Sequence, residues 1–459
     1  MVLRSFDELE RFMGLEVFAT DTEGIGGRIR CRYEDFVVEE VLLDGEVVRV
    51  GAEVPVNLSK YVRSGPWTWF ILEKRGVDTL RAVWELVKRL GVDFSRVSWG
   101  GYKDAFAVTA QVVSVFGVAP HKLRSVQLPS NMCIKVPVAS DRPFTPSCIF
   151  GNHFCIVIRC IELSESEIER RIGAILEELN SLGGLPSFYG HQRFGTRRPN
   201  THLVGKYIVK ERFEDAVMEL IARPYPYESS SIAEIRKIIW ESRDYAKALT
   251  LLPKRYDVER LVLEHLSKYP RDFVGALRRL PRNLLTLFIE AYQAYLFNKV
   301  LSRRLERGLP ISKPVRGDFV ALLDPHGFPT KSLVKVTDSN RDKVFELIRD
   351  GKAALVLNVF GYNTILADGE PGEVEREVLK EEELSLEDFK IKSMPELSSR
   401  GTIRPASTRI LNFRFEVEED ELHPGYRRVT VEFTLRRGNY ATILLREIMK
   451  PRNVVEAGY

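Results

Sequence analysis

Cysteine is scarce in this sequence: Cys31, Cys133, Cys148, Cys155 and Cys160 are the only five in 459 residues, an odd number with no C-x-x-C pair. That argues against a disulfide framework and against a zinc site, and the expectation is free, mostly buried thiols. Long apolar runs are absent as well. No stretch approaches the ~20 residues of a membrane helix, so no membrane segment is expected. The opening residues, MVLRSFDELERFMG, mix charges with apolar side chains and lack the apolar run and cleavage site of a signal peptide, which points to the cytoplasm. Excess charge of one sign is small. The 68 Lys and Arg against 64 Asp and Glu leave +4, a balance that permits a nucleic-acid partner without indicating one. No P-loop, dinucleotide fingerprint, G-x-S-x-G or H-E-x-x-H occurs, so no cofactor and no metal are expected.

What is present is enough chain for two or three domains, with an apolar share of 44%. GRIRCRYEDFVVEE alternates like a strand entering a turn, and DTLRAVWELVKRLGV predicts a helix with Leu80, Val83, Trp84, Val87 and Leu90 on one face, Asp78 or Thr79 as cap and Gly91 as stop. VTAQVVSV and NHFCIVIR read as strands. SESEIERRIGAILEEL has Ser164 and Glu167 as a capping box and lines up Ile168, Ile172, Ile175 and Leu179. From about Arg197 to Glu382 the texture turns helical and basic. Strand patterns then return in RILNFRFEVEED and VTVEFTLRRGNYATILLREIM. The economical fold is α+β: a mixed-sheet core of residues 1–196 and 383–459, interrupted by a largely helical insertion at 197–382, with the last strands completing the first sheet.

Chemistry has few candidate homes. In WGGYKDAFAVTAQ (99–111), two glycines precede Lys103 and Asp104 at the entrance to a strand. Such an Asp could be a nucleophile, or it could cap a turn and pair with its neighbouring Lys. EDFVVEE offers Glu34, Asp35, Glu39 and Glu40, usable for acid-base work or a metal, although a charged edge strand explains them as well. GNHFCIVIR contributes Asn152 and Phe154, the latter a core residue by default, and His153, a surface or hydrogen-bonded residue. PSFYGHQRFGTRRPN interleaves Phe188, Tyr189 and Phe194 with Arg193, Arg197 and Arg198, a mixture suited to stacking on bases and binding phosphate; a loop packed by its own aromatics is nearly as good a reading.

Together these stretches resemble the TruD family of tRNA pseudouridine synthases. GIGGRIRCRYEDFVVEE, GGYKDAFAVTAQ, GNHFCIVIR, GLPSFYGHQRFG, EAYQAYLFN and GNYATILLREIM follow one another in the family's order, and the long lead GLEVFATDTEGIGG looks like the archaeal or eukaryotic branch. The resemblance implies a pseudouridine synthase catalytic core carrying a TRUD insertion domain. It implies isomerisation of a tRNA uridine, at position 13 of the D arm, without a cofactor. It maps the catalytic Asp onto Asp104 with Lys103 beside it, the orienting Asn onto Asn152, and the aromatic that stacks on uracil onto Phe154. Two departures stand out: Arg30 and Tyr33 occupy places where the family often has Lys and Pro, and Ser187 stands where Asn is common. Arg30 keeps a positive charge to pair with Asp104, and Arg30→Lys is then expected to be mild.

A detached base must be held in a closed pocket while it turns, which requires flipping the uridine out of its stack. Whether Asp104 adds to C6, attacks C1′ or takes the 2′ proton stays open. The expected RNA track comprises Arg193, Arg197, Arg198, the basic helices from Lys254 to Arg282, Arg436, Arg437 and Arg446. The partner expected is tRNA, with no membrane and no metal, and the chain is expected to act as a monomer. A non-catalytic RNA-binding or RNA-folding chaperone would use the same surfaces but would need no carboxylate beside phosphate. A methyltransferase or deaminase would need the glycine loop or zinc signature that is missing, and a carboxylate hydrolase would leave the basic aromatic loop unexplained.

Overall fold

The computed structural model describes residues 2–195 and 198–459. Its strands in chain order are β1 (Phe36–Leu42), β2 (Trp67–Arg75), β3 (Val97–Trp99), β4 (Val108–Phe116), β5 (Met132–Ser140), β6 (Ile149–Ile161), β7 (Leu185–Pro186), β8 (Phe319–Leu323), β9 (Pro329–Lys335), β10 (Ala353–Val359), β11 (Thr402–Pro405), β12 (Ser407–Thr408), β13 (Leu411–Glu419) and β14 (Arg427–Arg436). The main sheet runs β13-β14-β6-β1-β4-β2-β5, with β3 alongside β4. Only β1 and β4 pair in parallel, Val37 opposite Val108; every other neighbour is antiparallel. The last two strands do complete a sheet begun far upstream, since Val431 of β14 faces Ile156 of β6.

Strand alternation divides the side chains between faces. Phe36 and Val38 of β1, Phe154, Ile156 and Ile158 of β6 and Val429, Val431 and Phe433 of β14 share the main core. That core also takes Ile168, Ile172, Ile175 and Leu179 from the helix Glu165–Leu182, whose first turn is capped as expected by the Ser164 hydroxyl accepting from the Glu167 N–H. The helix Thr79–Leu90 forms between an Asp78 cap and a left-handed Gly91, but it turns a different face inward. Ala82, Val83, Leu86 and Val87 are buried against Phe70, Leu72, Val113 and Val115 of the sheet, while Leu80 and Trp84 face solvent.

Two further expectations need correction. The acids of EDFVVEE do not lie on an edge strand: β1 sits between β6 and β4, and it tolerates its carboxylates because each has a cation, Glu39 with Arg49 and Glu40 with Lys103. The cysteines are free, yet four are half-buried and Cys133 is exposed.

Between β7 and β12 the chain builds helices from Thr201–Val209 to the long Arg282–Glu306 helix and, unexpectedly, a second sheet in the order β11-β10-β8-β9. The outgoing strand β7 and the returning strand β12 pair with each other, Leu185 opposite Thr408. At that ribbon Gly184 adopts φ +129°, and a Cβ there would stand 2.5 Å from the Thr408 carbonyl oxygen. Among the described residues no helix is long and apolar enough to cross a membrane.

Candidate active site

A cleft of about 400 Å³ opens where β1, β6 and the 100–104 loop meet the start of the Ala441–Met449 helix. Its lining includes Phe36, Val38, Lys103, Asp104, Asn152 and Phe154, with Gln192, Arg193, Leu287 and Tyr440 on the opposite wall. The loop is held from beneath. Thr79 Oγ1 accepts from the Lys103 N–H at 2.9 Å and donates to Gln111 Oε1 at 3.0 Å, while Gln111 Nε2 donates to the Gly101 carbonyl at 3.2 Å. Gly100 is required by proximity rather than by a left-handed turn: a Cβ there would stand 1.9 Å from Ile149 Cδ1.

Asp104, four residues before β4, projects from this braced loop with its side chain 37% exposed. Arg30 Nη2 donates to Asp104 Oδ2 at 3.1 Å, Arg30 Nη1 donates to the Gly458 carbonyl at 3.0 Å, and the guanidinium lies 4.3 Å over the Phe36 ring. Arg30 itself sits at φ +57°, a conformation that non-glycine residues seldom adopt and that marks functional sites more than ordinary turns.

Asp104 does not pair with its neighbour. Lys103 Nζ points inward to Glu40 Oε1 at 3.0 Å, a pair that is almost wholly buried, and Glu40 Oε2 accepts from the Val112 N–H at 2.8 Å. Below the loop the buried Lys74 donates to the Val77 carbonyl at 2.7 Å and reaches the Asp104 carbonyl at 3.4 Å. Burial, and then the nearby Lys103, bring the Lys74 amine down to about 8. Phe154 forms the flat floor, stacked on Phe433 at 5.3 Å between centroids, which in turn stacks on Phe413 at 6.2 Å. Among the described residues no hydrogen bond joins Asn152 to Asp104; the Asn152 Oδ1 is buried without a partner, an unmet acceptor at the wall of the cleft.

Of the arginines expected on an RNA track, Arg193 lines the cleft, with Nη1 donating to Glu290 at 3.2 Å. Arg198 turns into the insertion, where it donates to the Leu220 carbonyl at 3.0 Å and lies near Glu228 and Glu259. Arg197 lies outside the described residues. Arg446 cannot meet a substrate. Every residue of its helix is buried, and its guanidinium is locked against Glu10 at 2.8 Å and Glu447 at 3.3 Å. Arg437 also lines the cleft while its Nη1 donates to the Pro146 and Ile149 carbonyls, and Arg436 donates to the Gly327 carbonyl. Sequence reasoning singled out none of Lys74, Gln111 or Tyr440 as site residues, and it named Thr79 only as a possible helix cap. Gln111 stood in the quoted GGYKDAFAVTAQ run, and its three-residue spacing from Val108 gave no hint that it would brace a turn across the sheet.

A second cavity of about 520 Å³, lined by Asp44, Arg49, His153 and Arg414, has its charges paired among the described residues, Arg49 with Glu39, Arg414 with Glu432 and Asp44 with Lys60. His153 there is buried, its Nδ1 hydrogen-bonded with the Thr434 hydroxyl at 3.0 Å. The described residues bring Cys160, Asp420 and His423 within reach of one ion, but Asp420 is already occupied by Arg159, the Cys160 N–H and His423. Burial would raise the Asp420 carboxyl, yet those hydrogen bonds hold it at about 2.

A mixed sheet presenting a carboxylate over an aromatic floor, crossed by a largely helical insertion, is the architecture of an α+β enzyme of the pseudouridine synthase class, and solved structures agree. A crystal structure of tRNA pseudouridine synthase D from Methanosarcina mazei matches with a TM-score of 0.79 and 37% identity over 96% of this chain and 98% of that one. Proteins named tRNA pseudouridine synthase D from Methanococcoides burtonii and Methanosarcina acetivorans are 36% and 38% identical, over 98% and 96% of this chain and 98% and 97% of theirs. The model of the family described as tRNA pseudouridine synthase D (TruD) matches residues 12–448, and the chain belongs to that family.

Proposed function

We propose that this chain isomerises a uridine of tRNA, position 13 in the D arm, to pseudouridine, with Asp104 as the reacting carboxylate. The observation that carries this is the pairing of Asp104 with Arg30 at 3.1 Å in a cleft floored by Phe154. Turnover breaks the N1–C1′ bond, turns the uracil and joins C5 to C1′; the C5 proton then leaves and N1 regains a proton, so no other reactant is consumed. Phe154 supports the flipped base, as a flat apolar floor must while the base is detached. Arg30 aims the carboxylate, and Asn152, with an open acceptor, is placed to take an N–H from the base or to turn toward Asp104 once the cleft fills. Lys103 acts through Glu40 as a brace for the loop.

In this reading residues 1–196 and 406–459 form the catalytic part, the insertion's far border lying at Pro405 rather than 382 because β11 pairs with β10. In the same reading the chain acts as a monomer in the cytoplasm, where its tRNA substrate would be met. The deciding experiment uses tRNA tritiated at C5 of uridine. Tritium release by the wild type and none above background by Asp104→Ala is expected. Binding without release by the wild type would instead favour an RNA chaperone.

A further inference from the structure

The helix Thr79–Leu90 leaves an aromatic ring where a surface helix ordinarily carries charge. Trp84 is 58% exposed and stacks on Phe94 at 4.5 Å and 26°. Phe94 meets Trp99 edge-on at 5.8 Å, and Trp99 meets Tyr102 at 5.8 Å. Tyr102, 66% exposed, lines the cleft two residues from Asp104. Four rings thus run unbroken from an outer helix to the mouth of the active site, with both terminal rings open to solvent. Arg81 and Lys88 flank Trp84 at i−3 and i+4, on the same helix face. Both are exposed. Arg81 has only a 3.5 Å contact with Asp78, and Lys88 pairs with no acid among the described residues.

We propose that this row is a docking surface for an unpaired stretch of the substrate RNA adjoining the uridine that enters the cleft. The inference rests on the function proposed above. Continuity with the cleft and the flanking positive charge select RNA over a protein partner: free bases stack on aromatic planes while cations meet the phosphates between them. The rings already pack on one another, one pair stacked and two edge-on, so binding orders few additional side chains.

The test is the affinity of the full chain for a fluorescently labelled tRNA transcript across a range of salt concentrations. Trp84→Ala weakens binding about tenfold, the size expected for one lost base stack, and Trp84→Phe restores most of it. The double change Arg81→Glu, Lys88→Glu weakens binding and flattens the salt dependence by about one to two phosphate contacts. Trp240→Ala, which removes an exposed ring of the insertion, serves as the comparison and leaves affinity at the wild-type value. Quenching of tryptophan fluorescence by tRNA, present in the wild type, is reduced in Trp84→Phe to the share carried by Trp99. Wild-type affinity in both Trp84→Ala and the charge-reversed protein overturns the docking surface, and does so alone if the wild type still releases tritium. A wild type that neither binds tRNA nor releases tritium overturns both proposals.

Discussion

Arg30 does more than supply a positive charge. Its two terminal nitrogens serve different partners, Asp104 and the Gly458 carbonyl, and its plane rests on Phe36. A lysine has one nitrogen and no plane, so Arg30→Lys is expected to lower kcat by about tenfold, in contrast to the mild effect that charge alone suggests; single-turnover tritium release measures it. Lys74 offers a pH test. The fold brings its amine from 10.5 to about 8, so the native state disfavours the charged form. That penalty is full below pH 8 and is relieved as pH rises from about 8 toward 10.5. Lys74→Met should therefore gain stability against the wild type at pH 7, by an amount on the order of 3 kcal/mol less the lost hydrogen bonds, and most of that advantage should vanish by pH 10.5 in thermal melts. That Asp104, Asn152 and Phe154 line one cleft follows what the resemblance implied, since each local motif alone fitted a turn cap or a core strand as well. Glu40 as the partner of Lys103, and Thr79 and Gln111 as braces, were not legible, because those contacts cross from one element to another and no spacing in the sequence encodes them.

Elements were readable where one face was clearly apolar. The helix Glu165–Leu182 buries the four residues its period picks out. The helix Thr79–Leu90 carries apolar residues on two faces, so periodicity alone could not choose between Leu80 with Trp84 and Ala82 with Leu86; the sheet, which accepts the smaller set, decided. The sheet β11-β10-β8-β9 escaped notice because its strands are short and its outer member, β9, is mostly exposed. Arg446 shows the opposite hazard, a cation judged by its charge when its helix is buried all round. Its partner Glu10, on the short helix Glu8–Phe12, ties the two ends of the core together and also bonds His191 and Ser5. Burial works against the Glu10 carboxylate, but Arg446 and His191 hold it down to about 2 from 4.5. Its contribution is present above pH 4.5 and lost as pH falls through about 2. Glu10→Gln, which leaves the buried Arg446 guanidinium with Glu447 as its remaining acid, should cost about 1–3 kcal/mol at neutral pH, read as a loss in denaturant midpoint.

At the scale of the whole molecule, the main sheet must join segments that the chain keeps far apart: the Arg159–Asp420 pair beside β6 and β14 spans 261 residues. Much of that span was visible in the sequence as a return of strand texture, though not the device that shortens it. The β7 and β12 ribbon closes the base of the insertion, so once it has zipped, the segment still to be closed between the two sides is about 40 residues. By the logarithmic dependence of loop closure this removes roughly 1–2 kcal/mol from the entropic cost of docking the last strands. Gly184→Ala, which would press a Cβ against the Thr408 carbonyl, should therefore slow refolding by about tenfold, a rate that dilution from denaturant would report. The ribbon thus acts as a kinetic shortcut: an insertion that appears to burden the folding of the catalytic sheet is, once its two ends are clasped, nearly invisible to it.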